Sequence, residues 1–146
     1  LKIGGGLDDV WLNTDSGQLH IVDYKSTSQK SPDRVISLDG PWKESYKRQM
    51  DLYIWIMRRI EMDVSDTGYF LYCDGDRFAD RPFLGKTDAN MRFKMSLLPY
   101  TAQQQWIEPT LKRIHETLNT SITPEHDATC EHGAFLAACA EPPVQG

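Results

Sequence analysis

The segment 18–25 (QLHIVDYK) constrains the chain more than any other. Its β-branched and aromatic residues predict a strand. Successive side chains on a strand point to opposite faces, so Leu19, Ile21, Asp23 and Lys25 share one face. An acid and a base two residues apart thus stand on a face otherwise built of aliphatic residues. A half-buried face does not hold ionised groups without partners.

The partner is expected from the preceding segment. Residues 2–12 (KIGGGLDDVWL) read as a strand or bent strand, in which Gly4-Gly5-Gly6 permits a kink or a close backbone approach. NTDSG at 13–17 is turn chemistry, so the two segments form a hairpin. With Asp15-Ser16 as the central turn residues, Asp8 lies opposite Asp23. A three-residue turn ending at Gly17 puts Asp9 there instead, and spacing leaves both open. Two carboxylates facing each other repel, and a divalent cation between them reverses that sign. Such a donor set suits Mg²⁺ or Mn²⁺, which favour oxygen. The cation would acidify water and neutralise a phosphoryl oxygen. Lys25 beside it would orient the nucleophile and stabilise developing negative charge. The contrasting reading is a surface ion pair between Asp23 and Lys25, with Asp8-Asp9 a turn edge.

Residues 26–41 read as a long polar loop. Residues 42–61 read as a helix, with Tyr46, Met50, Tyr53, Ile54, Met57 and Ile60 at helical spacing. Residues 68–73 and 91–98 read as strands, the latter with Met91, Phe93, Met95 and Leu97 alternating with polar residues. Residues 101–118 read as a second helix, kinked or restarted at Pro109. A short helix is expected at 133–140, and the terminal EPPVQG should fray. The order strand, strand, helix, strand, strand, helix fits an α/β fold with a mixed central sheet flanked by helices.

A chain of 146 residues suits one hydrophobic core. No apolar run is long enough for a membrane span, and LKIGGG is not a secretory signal, so a cytoplasmic location is expected. The net charge of −5 argues mildly against a DNA partner. Its distribution softens that: every Lys and Arg lies at or before Arg113, whereas Glu116, Glu125, Asp127, Glu131 and Glu141 follow it. The three cysteines, Cys73, Cys130 and Cys139, do not read as a disulfide framework. Cys73 reads as a core residue, and His20 and His115 as structural.

The string GGLDDVWLN…GQLHIVDYKST resembles the motif pair of PD-(D/E)XK nucleases of the RecB exonuclease type, a group related to the CRISPR-adaptation nucleases of that type. The resemblance aligns Asp8 and Asp23 with the metal-binding aspartates and Lys25 with the catalytic lysine, and Tyr24 and Ser26 match residues common in the family. In YKRQMDLY, Gln49 and Tyr53 reproduce the Q-x-x-x-Y motif, whose members contact DNA or support the active site. Positions four apart share a helix face. The resemblance is strongest over residues 3–73. It implies a restriction-endonuclease-like core over residues 1–118, with 119–146 a C-terminal extension.

The family fold usually opens with a helix bearing a glutamate. No such helix precedes Asp8, so the chain reads as a fragment of a longer protein with its first helix missing. Many relatives bind an iron–sulfur cluster through four cysteines. Here Gly133 stands where C-x-x-C would have its second cysteine, so a cluster is not supported by this chain alone. Cys130, His132 and Cys139, with His126, are candidates for a zinc site or a cluster remnant. Lys30, Arg34, Lys43, Lys47 and Arg48 are candidate phosphate contacts, and Trp42, Tyr46 and Trp55 candidate stacking residues. The expected activity is metal-dependent hydrolysis of DNA, single-stranded or at its ends, by an exonuclease of recombination, repair or phage DNA metabolism. The alternative is a noncatalytic nucleic-acid-binding or assembly module with the same fold.

Overall fold

A computed structural model describes residues 1–28, 31, 33, 35–78 and 86–140. The chain divides into two compact units, one spanning Lys2–Ile107 and the other running from Glu108 onward, grouped with Leu1. Strands β1 (Asp9–Leu12), β2 (Leu19–Ser28), β3 (Thr67–Gly75) and β4 (Phe93–Thr101) form one sheet in that order. The outer pairs β1–β2 and β3–β4 are antiparallel, and the central pair β2–β3 is parallel. A short 3-10 turn, Pro41–Lys43, leads into helix α1 (Glu44–Arg59) between β2 and β3. Helices α2 (Ile107–Leu118) and α3 (Glu131–Ala140) follow the sheet in sequence. The expected α/β class with a mixed sheet is the one found.

The hairpin register follows from its turn. Asn13 Oδ1 accepts the amides of Asp15 (3.0 Å) and Ser16 (3.2 Å). Gly17, at φ 77, returns the chain, and its amide donates to Asn13 O at 2.8 Å. The loop is four residues long and centred on Asp15-Ser16. It pairs Asp9 with Val22 and Leu12 with Leu19. The three-residue turn is therefore excluded.

Alternation on the strands and helical spacing on α1 build one core. Ile21 of β2 and Phe70 and Tyr72 of β3 pack with Met50 and Ile54 of α1, joined by Ile36 and Val64. Tyr46, Tyr53 and Met57 border it. Gly68 of β3 lets α1 approach: a Cβ there would lie 2.3 Å from Met50 Sδ. Ile60 departs from its expected place, being 62% exposed just beyond the end of α1. The helix stops there because Glu61 adopts φ 64 and the amide of Met62 turns back to Met57 O at 3.1 Å.

Other boundaries shift for physical reasons. β1 is only four residues long, and the segment before Asp9 forms no ladder. β2 runs on to Ser28 because β3 pairs with it through Gly75. β4 turns Leu98 and Tyr100 to the core, while Phe93, Met95 and Leu97 stay about half exposed. Pro99 is tolerated because β4 is an edge strand. Pro109 neither kinks nor restarts α2, since it occupies the first turn, where its missing N–H costs nothing. The helix at 133–140 begins two residues earlier, at Glu131. EPPVQG and the loop residues Lys30 and Arg34 lie outside the described residues.

A buried carboxylate ties α1 to the end of β4. Asp51, 2% exposed, accepts the Tyr100 hydroxyl at 3.0 Å, the Gln103 amide at 2.8 Å and the Trp106 indole N–H at 2.9 Å. Burial, and then the bond to Asp51, hold the Tyr100 hydroxyl far above the ordinary tyrosine pKa. Removing Asp51 strands three donors. Asp51→Ala should lower unfolding free energy by about 3 kcal/mol, and Tyr100→Phe by about 1 kcal/mol, in urea titrations.

Candidate active site

Asp23 and Lys25 project from β2 toward α1, on the face that holds Ile21 and, across the parallel pair, Phe70 and Tyr72. Asp23 is 3% exposed. Its buried Oδ2 meets the Lys25 ammonium in an ion pair. α1 encloses that ammonium: Lys25 Nζ donates to Gln49 Oε1 at 3.4 Å and lies 4.5 Å from the centre of the Tyr46 ring. Gln49 Nε2 in turn donates to the Tyr53 hydroxyl at 2.8 Å. Tyr46, Gln49 and Tyr53 form one helical stripe, so a single face of α1 presents all three.

The Gly4-Gly5-Gly6 run acts at its middle residue. A Cβ on Gly5 would lie 2.7 Å from Tyr53 Cε1. The expected close approach was to a ligand; the one found is to a tyrosine of the site.

The two neighbouring aspartates have separate tasks. Asp9 pairs with Val22 and so shares the face away from Asp23. It accepts the Tyr24 hydroxyl, the Trp11 indole N–H at 2.9 Å and the Val10 amide at 2.8 Å. These bonds, led by Tyr24, hold the Asp9 carboxyl below its ordinary pKa, and Asp9 holds the Tyr24 hydroxyl above its own. One residue earlier, Asp8 is exposed and precedes the first pair of the ladder. The β1 ladder has ended there, and Asp8 Oδ2 takes the Tyr24 amide at 2.8 Å in place of a main-chain acceptor. Asp8 is thereby fastened to β2 next to Asp23.

The other sequence candidates are dispersed. Tyr24 and Ser26 are exposed on the opposite face of β2. Lys47 pairs with Glu44 at 2.7 Å, and Arg48 is exposed. In the second unit, Cys130 Sγ accepts the Gly133 amide at 3.3 Å and lies 3.7 Å from His126 Nδ1. The rings of His126 and His132 are 6.2 Å apart, and Cys139 is exposed. Among the described residues no three His, Cys, Asp or Glu side chains are grouped to hold a metal. A cation at Asp8 and Asp23 would therefore complete its shell with main-chain oxygen, water or substrate.

Sequence reasoning missed an inner cluster beside Lys25. Lys43, 7% exposed, donates to the Tyr72 hydroxyl, and its Nζ lies 4.3 Å from the Tyr72 ring and 5.3 Å from that of Tyr46. Tyr46 thus faces two ammonium groups. Asp74, two residues after Tyr72 on the same face of β3, is fully buried, with both oxygens lacking hydrogen bonds. A lysine at a helix start reads as solvated, so only the aromatic neighbours at 46 and 72 could have hinted at this.

A family model for the PD-(D/E)XK nuclease superfamily matches residues 1–140. The chain belongs to the PD-(D/E)XK nuclease superfamily. No curated protein and no solved structure matches it. The superfamily consists generally of nucleases that use divalent metals, and the mixed sheet with its helices agrees with the restriction-endonuclease-like fold. No helix among the described residues is long and apolar enough to cross a membrane. The donor chemistry fits a hard divalent cation, because Asp23 is a buried carboxylate and the neighbouring Asp8 supplies a second one.

Two outcomes test this geometry. Lys25→Ala leaves Asp23 charged and uncompensated, so the metal-free protein should lose about 3 kcal/mol. Adding Mn²⁺ should raise its melting temperature more than that of the parent protein, since the cation replaces the lost ammonium. Gly5→Ala should push Tyr53 off Gln49 and cut turnover roughly tenfold while leaving melting within about 1 kcal/mol of the parent.

Proposed function

We propose that the chain hydrolyses DNA phosphodiester bonds with Mg²⁺ or Mn²⁺, acting as an exonuclease on single strands or DNA ends in recombination, repair or phage DNA metabolism, in the cytoplasm. The observation that carries the reading is the buried Asp23 carboxylate, whose Oδ2 meets the Lys25 ammonium, beside a second carboxylate fastened to the same strand.

In this reading Asp8 and Asp23 hold the cation. When bound, it neutralises charge on a phosphoryl oxygen and lowers the pKa of water. With a cation held there, Lys25 would present its ammonium to the attacking water and the phosphoryl oxygens, where negative charge accumulates. Gln49 accepts from that ammonium and restricts its swing. Tyr53 fixes Gln49, and Gly5 leaves room for Tyr53. Water adds to phosphorus and loses a proton to solvent, one P–O ester bond breaks, and the departing oxygen takes up a proton from solvent. Lys47 and Arg48 contact the DNA from α1, while Tyr24 and Ser26, on the opposite face of β2, lie away from the scissile group.

Labelled DNA supplied as linear strands and as closed circles tests the proposal. In Mn²⁺ the linear strand should be shortened from an end and the circle spared. Lys25→Ala and Asp23→Asn should each reduce the rate by about 100-fold or more. Equal cutting of circles removes the exonuclease assignment. A folded protein that cuts neither substrate with either metal leaves a nucleic-acid-binding module.

A further inference from the structure

Trp42 lies immediately before Lys43, at the entrance to α1, and is 68% exposed. A large apolar ring left in water forgoes the stabilisation of burial. Its position is nevertheless fixed. Gly40 adopts φ 109, a conformation that L side chains rarely adopt. A Cβ on Gly40 would lie 3.2 Å from Trp42 Cζ2 and 3.3 Å from Cε2 and Cη2. The indole therefore rests on bare backbone on one side and is open to solvent elsewhere. Its main-chain carbonyl accepts the Ser45 hydroxyl at 3.0 Å, which closes the first turn around it.

Trp42 adjoins the site. Lys43, the next residue, turns inward to Tyr46, whose ring also faces Lys25. Lys47, paired with Glu44 at 2.7 Å, and the exposed Arg48 follow on the same helix. An aromatic plane next in the chain to a site built for a phosphate matches a nucleotide, in which a flat base stacks beside its phosphate. Bases inside a duplex already stack on both neighbours, whereas an unpaired base can turn a whole face to the indole.

We propose that Trp42 is a stacking platform for an unpaired nucleobase and that it sets single-stranded DNA as the substrate class. This deepens the nuclease reading and rests on it. Gly40 is the positioning residue that keeps the indole plane fixed.

Binding in EDTA separates this proposal from catalysis. Fluorescence anisotropy would compare a labelled single strand, a blunt duplex of the same sequence and an abasic strand, using the full chain. Trp42→Ala should weaken single-strand binding about tenfold, Trp42→Phe by less than about threefold, and neither should change duplex or abasic binding. Gly40→Ala, which keeps the indole but displaces it, should also weaken single-strand binding selectively. Superimposable circular dichroism melts would exclude unfolding as the cause. Unchanged single-strand affinity in Trp42→Ala, equal losses on all three ligands, or no single-strand binding by the parent chain would overturn the proposal. Cleavage by the parent chain with unchanged Trp42→Ala affinity removes only this inference. Selective binding without cleavage removes only the hydrolase reading.

Discussion

The ion pair between Asp23 and Lys25 is the constraint around which the structure is arranged. Both groups stand on the core face of a central strand, where a lone carboxylate would be costly. Lysine neutralises it, and the Lys25 ammonium is the partner of Asp23 Oδ2. The pair keeps the strand inside the fold. Around it, Gln49, Tyr46 and Tyr53 confine the lysine from the helix side, and Asp8 arrives from β1 through its bond to the Tyr24 amide.

Topology explains why the site forms where it does. β2 and β3 are parallel, so the chain must cross between them, and α1 makes that crossing over one face of the sheet. Its first turns come to lie above the ends where both strands finish, the position at which open α/β sheets gather their ligand sites. β1 stops pairing at Asp9 just where β2 reaches Asp23. The end of the ladder frees a backbone donor, and a carboxylate fills it. Asp51 secures the other end of the arrangement, holding α1 to the exit of β4. Asp74 has no such support, and its buried oxygens are a place where this face gives up stability.

The elements that were legible in the sequence are those with strong local patterns. The Asp-x-Lys alternation read out β2 and its polar pair, helical spacing read out α1, and Asn13 with Gly17 read out the hairpin. Spacing alone left Asp8 and Asp9 open, because a turn longer by one residue reverses every side chain; the family resemblance favoured Asp8, and the register turns Asp9 away from Asp23. Long-range polar contacts were also hidden. Asp51 looks like any acid on a solvated helix until Tyr100, Gln103 and Trp106 arrive from about 50 residues away. Lys43 reads as a surface lysine, and its burial depends on Tyr72 of a later strand. The alternation in β4 was visible, yet it marked the half-exposed side, since Leu98 and Tyr100 turn to the core instead.

An anomalous difference map from a crystal soaked in Mn²⁺ tests the central claim most directly. The expected result is one peak between Asp8 and Asp23, about 2 Å from an oxygen of each, with the Lys25 ammonium moved away from Asp23 Oδ2. No peak there at saturating Mn²⁺, with the Asp23–Lys25 pair intact, would contradict it.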